Sequence, residues 1–146
     1  MKRVILILAA LVISSSVFAL PPGISEKPVD QLMEYIGKPV PEKWSTLNKG
    51  STFHSDIIGN ERLAYYLTVS PLSNMVNSVV IVWCGKDPAR IEQVWNELLE
   101  LMNQQGLRSI PASKPEYFRW EHGIRSFELQ REGGTNGYSY CSIHLL

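Results

Sequence analysis

Between Asp87 and Gly106 apolar residues recur at steps of three and four, and on either side of that stretch they recur at steps of two. This change of period constrains the fold most, because the first spacing makes one stripe of a helix and the second makes one face of a strand. Ile91, Val94, Trp95, Leu98, Leu101 and Met102 form the stripe, and Arg90, Gln93, Asn96, Glu97 and Gln104 form the solvated side. Such a helix needs an apolar surface to lie on. Asp87-Pro88 supplies its start, since Asp accepts from an unpaired amide and Pro at the first helical position gives up no hydrogen bond. Gly106 supplies the stop.

The flanking segments read as strands. After a short helix over Pro28 to Ile36, with apolar residues at Val29, Leu32, Met33 and Ile36, the stretch Lys38 to Gly50 is an irregular connection in which Trp44 is expected to plug the core edge. From Ser51 onward Phe53, Ser55 and Ile57 alternate with Thr52, His54 and Asp56, and Gly59-Asn60 turns the chain into Arg62 to Ser70. The run Val79 to Trp83 is apolar at every position, which predicts a strand near the middle of the sheet. Beyond a loop over Ser109 to Pro115, the strands are Tyr117 to Glu121, Ile124 to Arg131 and Tyr138 to Leu145, joined at His122-Gly123 and through the glycines of Gly133 to Gly137.

The predicted order is therefore α-βββ-α-βββ. It implies an α+β fold, an antiparallel sheet of five or six strands with the helices packed on one face. Residues 28–146 form a single domain on this reading. The repeated order hints at an internal duplication, and two-repeat layouts of this sort resemble the general plan of the β-lactamase inhibitor protein and of some outer-membrane assembly accessory proteins. That resemblance is one of layout. It covers no motif and assigns no residue a role.

The first residues add an address. Lys2 and Arg3 precede an apolar core from Val4 to Ile13, and Val17-Phe18-Ala19 fits the positions read by a signal peptidase. Residues 1–19 read as a signal peptide cleaved after Ala19, and residues 20–27 as an extended Pro-rich lead-in outside the fold. The mature chain is expected in the bacterial periplasm or the medium. Ser14, Ser15 and Ser16 interrupt the apolar stretch before it reaches the roughly 20 residues of a membrane-spanning helix, and no second stretch approaches that length.

The whole chain has 14 Lys plus Arg and 14 Asp plus Glu, so removing Lys2 and Arg3 leaves a net charge of −2. That balance, with no block of like charge, speaks against nucleic acid as a partner. Cys84 and Cys141 both fall in the mature part, 57 positions apart, and an oxidising compartment predicts that they form a disulfide. Such a staple would contribute roughly 4 kcal/mol through the unfolded chain.

The sequence offers little chemistry. His54, His122 and His144 stand apart, without the spacing of a metal site, and in a strand Ser55 faces away from His54 and Asp56. No nucleophile elbow or phosphate-binding glycine loop occurs. No catalytic residue, metal or cofactor is predicted. The less bland feature is the polar side of the C-terminal strands, where Tyr117, Arg119, Glu121, Ser126, Glu128, Gln130, Tyr138, Tyr140 and His144 are expected to share a surface. Tyr117, Arg119, Glu128, Tyr138, Tyr140 and His144 form the candidate binding face, because Tyr and Arg combine large contact area with polar tips. The expected function is a non-enzymatic exported binding module, such as an inhibitor or immunity-type protein, that recognises a protein in the envelope or outside the cell. The alternatives are a structural or assembly accessory of the envelope and a small cell-wall hydrolase. The hydrolase requires His54, His144 and an acid such as Glu128 or Asp56 to converge.

Overall fold

In the computed structural model, the chain is described over residues 20–48, 51–58, 61–111, 114–133 and 135–146. The signal peptide expected over residues 1–19, the turn expected at Gly59-Asn60 and Gly134 lie outside the described residues. Eight strands form one antiparallel sheet: β1 (Ser45–Asn48), β2 (Ser51–Ile58), β3 (Glu61–Val69), β4 (Val76–Gly85), β5 (Arg108–Ile110), β6 (Tyr117–His122), β7 (Arg125–Gly133) and β8 (Ser139–Leu145). Helix α1 (Pro28–Met33) precedes the first four strands and α2 (Pro88–Asn103) the second four. The spatial order β1-β2-β3-β4-β8-β7-β6-β5 makes each half a meander, and the halves meet where β4 pairs with β8.

The sheet carries two more strands than the pattern predicts, because β1 and β5 have only four and three residues. Segments that short show no alternation to read. They form where β2 and β6 would otherwise present bare edges. The first helix is also shorter than the periodicity suggests. After Met33 the chain tightens into bonds from Tyr35 N–H to Leu32 and from Ile36 N–H to Met33, and Gly37, at φ +74°, hands the chain on by bonding to Val76. The long helix starts as expected, with Asp87 Oδ1 accepting from the amides of Ala89 and Arg90.

Register decides which residues share a face. Leu63, Trp83 and Cys141 lie opposite one another across β3, β4 and β8. One step along, Tyr65, Ile81, Ile143, Leu129 and Phe118 form a second row, and Leu67, Val79, Leu145, Phe127 and Trp120 a third. These rows join Val29 and Leu32 of α1 and Ile91, Val94, Trp95, Leu98 and Met102 of α2 in one apolar cluster. Each large side chain sealed there contributes roughly 1.5–3 kcal/mol by leaving water. Trp44 packs against the edge of this cluster, as its position in the connection predicts.

Two expectations need correction. The lead-in does not trail outside the fold: Pro21 and Ile24 are buried, Gln31 Nε2 donates to the Gly23 carbonyl at 2.6 Å, and the Tyr65 hydroxyl donates to the same carbonyl. Gly23 fits only as glycine, since φ is +95° and a Cβ would sit 2.6 Å from Leu63 Cδ2. The second correction concerns Cys84 and Cys141, which are both free thiols. In register Cys84 faces Tyr140 while Cys141 faces Trp83, so neighbouring strands turn the two sulfurs to opposite sides of the sheet. Burial pushes the Cys141 thiol up to about 12, which keeps it protonated and unreactive.

Candidate functional site

The face opposite the apolar cluster is built from the even-numbered positions of β3, β4, β7 and β8 and the odd-numbered positions of β6. Tyr66, Val80, His144, Glu128 and Arg119 form one row across five strands, and Ala64, Val82, Ser142, Gln130 and Tyr117 form the next. The row composition changes along the way, from apolar on β3 and β4 to polar on β8, β7 and β6. Val29 and Leu32 of α1 and the buried residues of α2 belong to the cluster on the other side.

The polar half is a connected network. Arg119 Nε lies 3.8 Å from Glu128 Oε1, an ion pair too long for a hydrogen bond, and Arg119 Nη2 donates to Ser126 Oγ at 3.4 Å. Gln130 Nε2 donates to the second Glu128 oxygen at 3.3 Å. Ser142 Oγ and His144 Nε2 are 2.8 Å apart. Glu128 and Ser142 are buried although no helix covers them, because Tyr117, Arg119, Gln130 and His144 lie across them. Burial lowers the His144 pKa, against the opposing pull of the Glu128 carboxylate. Burial also raises Tyr117, with its hydrogen bond to Glu128 acting in the same direction.

Of the six sequence-predicted residues, the structure brings Tyr117, Arg119, Glu128 and His144 together in adjacent strands. Tyr140 shares the face one row further, where its hydroxyl donates to Glu132 Oε2 at 2.6 Å and the bond raises its pKa. Tyr138 is apart from them. It precedes β8 and lies beneath the Lys86 ammonium, 5.2 Å from its ring centre. The apolar half of the face, with Tyr66, Val80 and Val82, is missing from the sequence reading. Its signal was present in the run that is apolar at every position, half of which had to face away from the core. An open hollow of about 460 Å³, lined by Lys114, Glu116, Tyr117, Gln130, Arg131 and Glu132, adjoins Tyr117.

The arrangement has limited catalytic means. Ser142 and His144 are at nucleophile-to-base distance and Glu128 stands opposite His144. However, Ser142 is 5% exposed, and β8 is paired on both sides, so its amides are engaged and cannot line an oxyanion hole. His54 belongs elsewhere, stacked on Trp44 at 5.4 Å beside Tyr65, on the side of the sheet that carries the apolar cluster. His122 lies at the β6–β7 turn against the edge of Phe127. The convergence required of a hydrolase is therefore half met. Among the described residues no three His, Cys, Asp or Glu side chains are grouped to hold a metal ion, and no helix is long and apolar enough to cross a membrane.

Comparison with protein-family models, with curated proteins and with solved structures finds no match.

Proposed function

We propose that this chain is an exported, non-enzymatic binding module that recognises a protein partner through the face formed by β3, β4, β8, β7 and β6. One observation carries the reading: Tyr117, Arg119, Glu128 and His144 are drawn into one half-shielded patch that continues into the apolar strip of Tyr66, Val80 and Val82. A sheet face needed only for solubility has no use for a carboxylate that is 9% exposed, or for half-buried valines on the side away from the apolar cluster. An interface uses both, since a dry apolar centre supplies affinity and a fixed polar network supplies register.

The partner surface that fits is an apolar segment flanked by hydrogen-bonding groups, with one side chain entering the hollow beside Tyr117. The export address rests on Lys2, Arg3, the apolar core from Val4 to Ile13 and the small residue Ala19. It places the partner in the envelope or outside the cell. The docked lead-in disfavours the assembly-accessory alternative in which residues 20–27 act as a free tether.

The test is affinity capture from the native envelope extract with the wild-type protein and with a Tyr117→Ser/Arg119→Ala variant. A single dominant partner, reduced at least tenfold by the double substitution, is the expected result, as hot-spot Tyr and Arg residues each remove about 2 kcal/mol or more. Equal capture by a variant with unchanged circular dichroism would refute the assignment.

A further inference from the structure

His144 occupies the junction between the two halves of the open face. Across to β4 it meets Val80, with Tyr66 beyond on β3, and across to β7 it meets Glu128, with Arg119 beyond on β6. The other two histidines lie elsewhere, His54 on the side of the apolar cluster and His122 at the β6–β7 turn. The His144 ring is half-buried, and Nε2 stands 2.8 Å from Ser142 Oγ. Among the described residues Nδ1 has no hydrogen-bond partner.

The charged and titratable groups around this ring come from four strands. β7 contributes Glu128, directly opposite, and β6 contributes Arg119 and Tyr117 behind it. β3 contributes Tyr66. Along β8 itself stand Tyr140, whose hydroxyl is held by Glu132, and the Leu146 carboxylate, which accepts from the Ser126 amide at 3.2 Å. β4 contributes none, because Val80 lies between Ser78 and Val82 on this side. Glu128 is the carboxylate that favours a cationic ring. It is already engaged: Arg119 Nε stands at 3.8 Å, Gln130 Nε2 donates at 3.3 Å and the Tyr117 hydroxyl donates as well.

Neutral and protonated imidazole make different demands on their surroundings. The neutral ring can donate from Nε2 to Ser142 Oγ and leave Nδ1 as a bare acceptor, whereas the cation carries a donor at both nitrogens. In the free protein water reaches the half-buried ring and can take the second donor. A partner lying across Val80, His144 and Arg119 removes that water. Glu128 cannot replace it without giving up Arg119, Tyr117 or Gln130, and Val80 has no acceptor to offer. Partial burial already disfavours the cation, and completing the burial extends the same effect.

We propose that this face holds its partner while His144 is neutral and releases it when the ring is protonated, which makes recognition reversible by acid. The device rests on the proposed reading of the face as a protein-binding surface. Apparent affinity then follows the neutral fraction of His144. It is constant well above the midpoint of the ring and falls about tenfold for each pH unit below it.

The test first follows the imidazole signals of the free protein by NMR, with His144→Gln identifying the His144 signal and hence its midpoint. Wild type, His144→Gln and Glu128→Gln are then immobilised and exposed to native envelope extract, from about pH 8 down to about one unit below that midpoint. Wild type is expected to retain its partner at the upper pH and about tenfold less at the lower one. For His144→Gln the ratio of retention at the two pH values is expected to stay within about twofold, whatever its absolute level. Glu128→Gln is expected to shift both the midpoint and the release to lower pH, because the carboxylate that favours the cation is gone. Circular dichroism at each pH reports the fold. The proposal is overturned by equal retention at both pH values, or by tighter retention in acid, which would set a partner carboxylate on Nδ1. It is also overturned if His144→Gln releases as wild type does, if release from Glu128→Gln stays at the wild-type pH, or if release coincides with unfolding. Retention of no protein by wild type at the upper pH is a distinct outcome, which overturns the recognition reading itself.

Discussion

Along β4, Val79, Ile81 and Trp83 are at most 2% exposed, while Val80 and Val82 between them remain half-exposed. On β3 and β8 the second face leaves Tyr66 and His144 partly open beside the buried Ala64 and Ser142, and on β7 Phe127 and Leu129 are sealed against the helices while Glu128 beside them is held under Arg119 and Gln130. One face thus excludes water by packing of whole elements, the other by side chains lying over their neighbours. The first kind of burial defines the fold and tolerates little change. The second leaves residues that a partner can cover and that the fold can spare.

Substitution tests that difference directly. Phe127→Ala should remove roughly 3–5 kcal/mol of stability, because the cavity it leaves cannot collapse between α2 and the sheet. Val80→Thr, on the other face, should cost under about 1 kcal/mol. Comparable losses in urea denaturation would mean that the two faces are not energetically distinct.

A smaller effect separates the faces by pH. Burial lowers the His144 pKa from its ordinary 6.5, so the unfolded chain binds the proton more readily than the native one. The contribution of neutral His144 is full above about pH 6.5 and is lost as pH falls toward the lowered native value. His144→Gln should flatten the stability profile over that interval. A profile identical to wild type would place the titrating group elsewhere.

The smallest expected effect concerns the thiols. With Cys84 and Cys141 on opposite sides of the sheet, a reductant should change stability by less than about 0.5 kcal/mol, where removal of a native disulfide would cost 2–5 kcal/mol. A large drop on reduction would show that the sulfurs are joined, and would require a register different from the one described.

The parts of this molecule legible in its sequence are those with a regular period and a chemical boundary. Helix α2 announces itself through the stripe from Ile91 to Met102 and the Asp87-Pro88 start. The C-terminal strands do so through alternation, which is why Tyr117, Arg119, Glu128 and His144 could be assigned to one face before their register was known. The disulfide failed for the opposite reason. Val79 to Trp83 is apolar at every step, so the pattern carries no parity, and nothing local tells whether Cys84 follows Trp83 onto the core side or turns away. The short strands β1 and β5 have no pattern of their own, and the docking of Pro21 and Ile24 depends on a groove beside Leu63 and Tyr65 that exists only once the fold is made.

The seam between the two meanders has a consequence for how this molecule comes into being. Pairing of β4 with β8 joins residues 54 to 66 positions apart, from Gly85 with Ser139 to Val79 with Leu145. Everything between them must be in place before the sheet can close, and contacts of such long range slow the search for the native state. The candidate binding face straddles this seam. A chain interrupted before Ser139 would hold a half-sheet with β4 as a bare edge and no surface to offer a partner. On the proposed reading, recognition is thus withheld until the last strand arrives, which suits the export proposed for this chain.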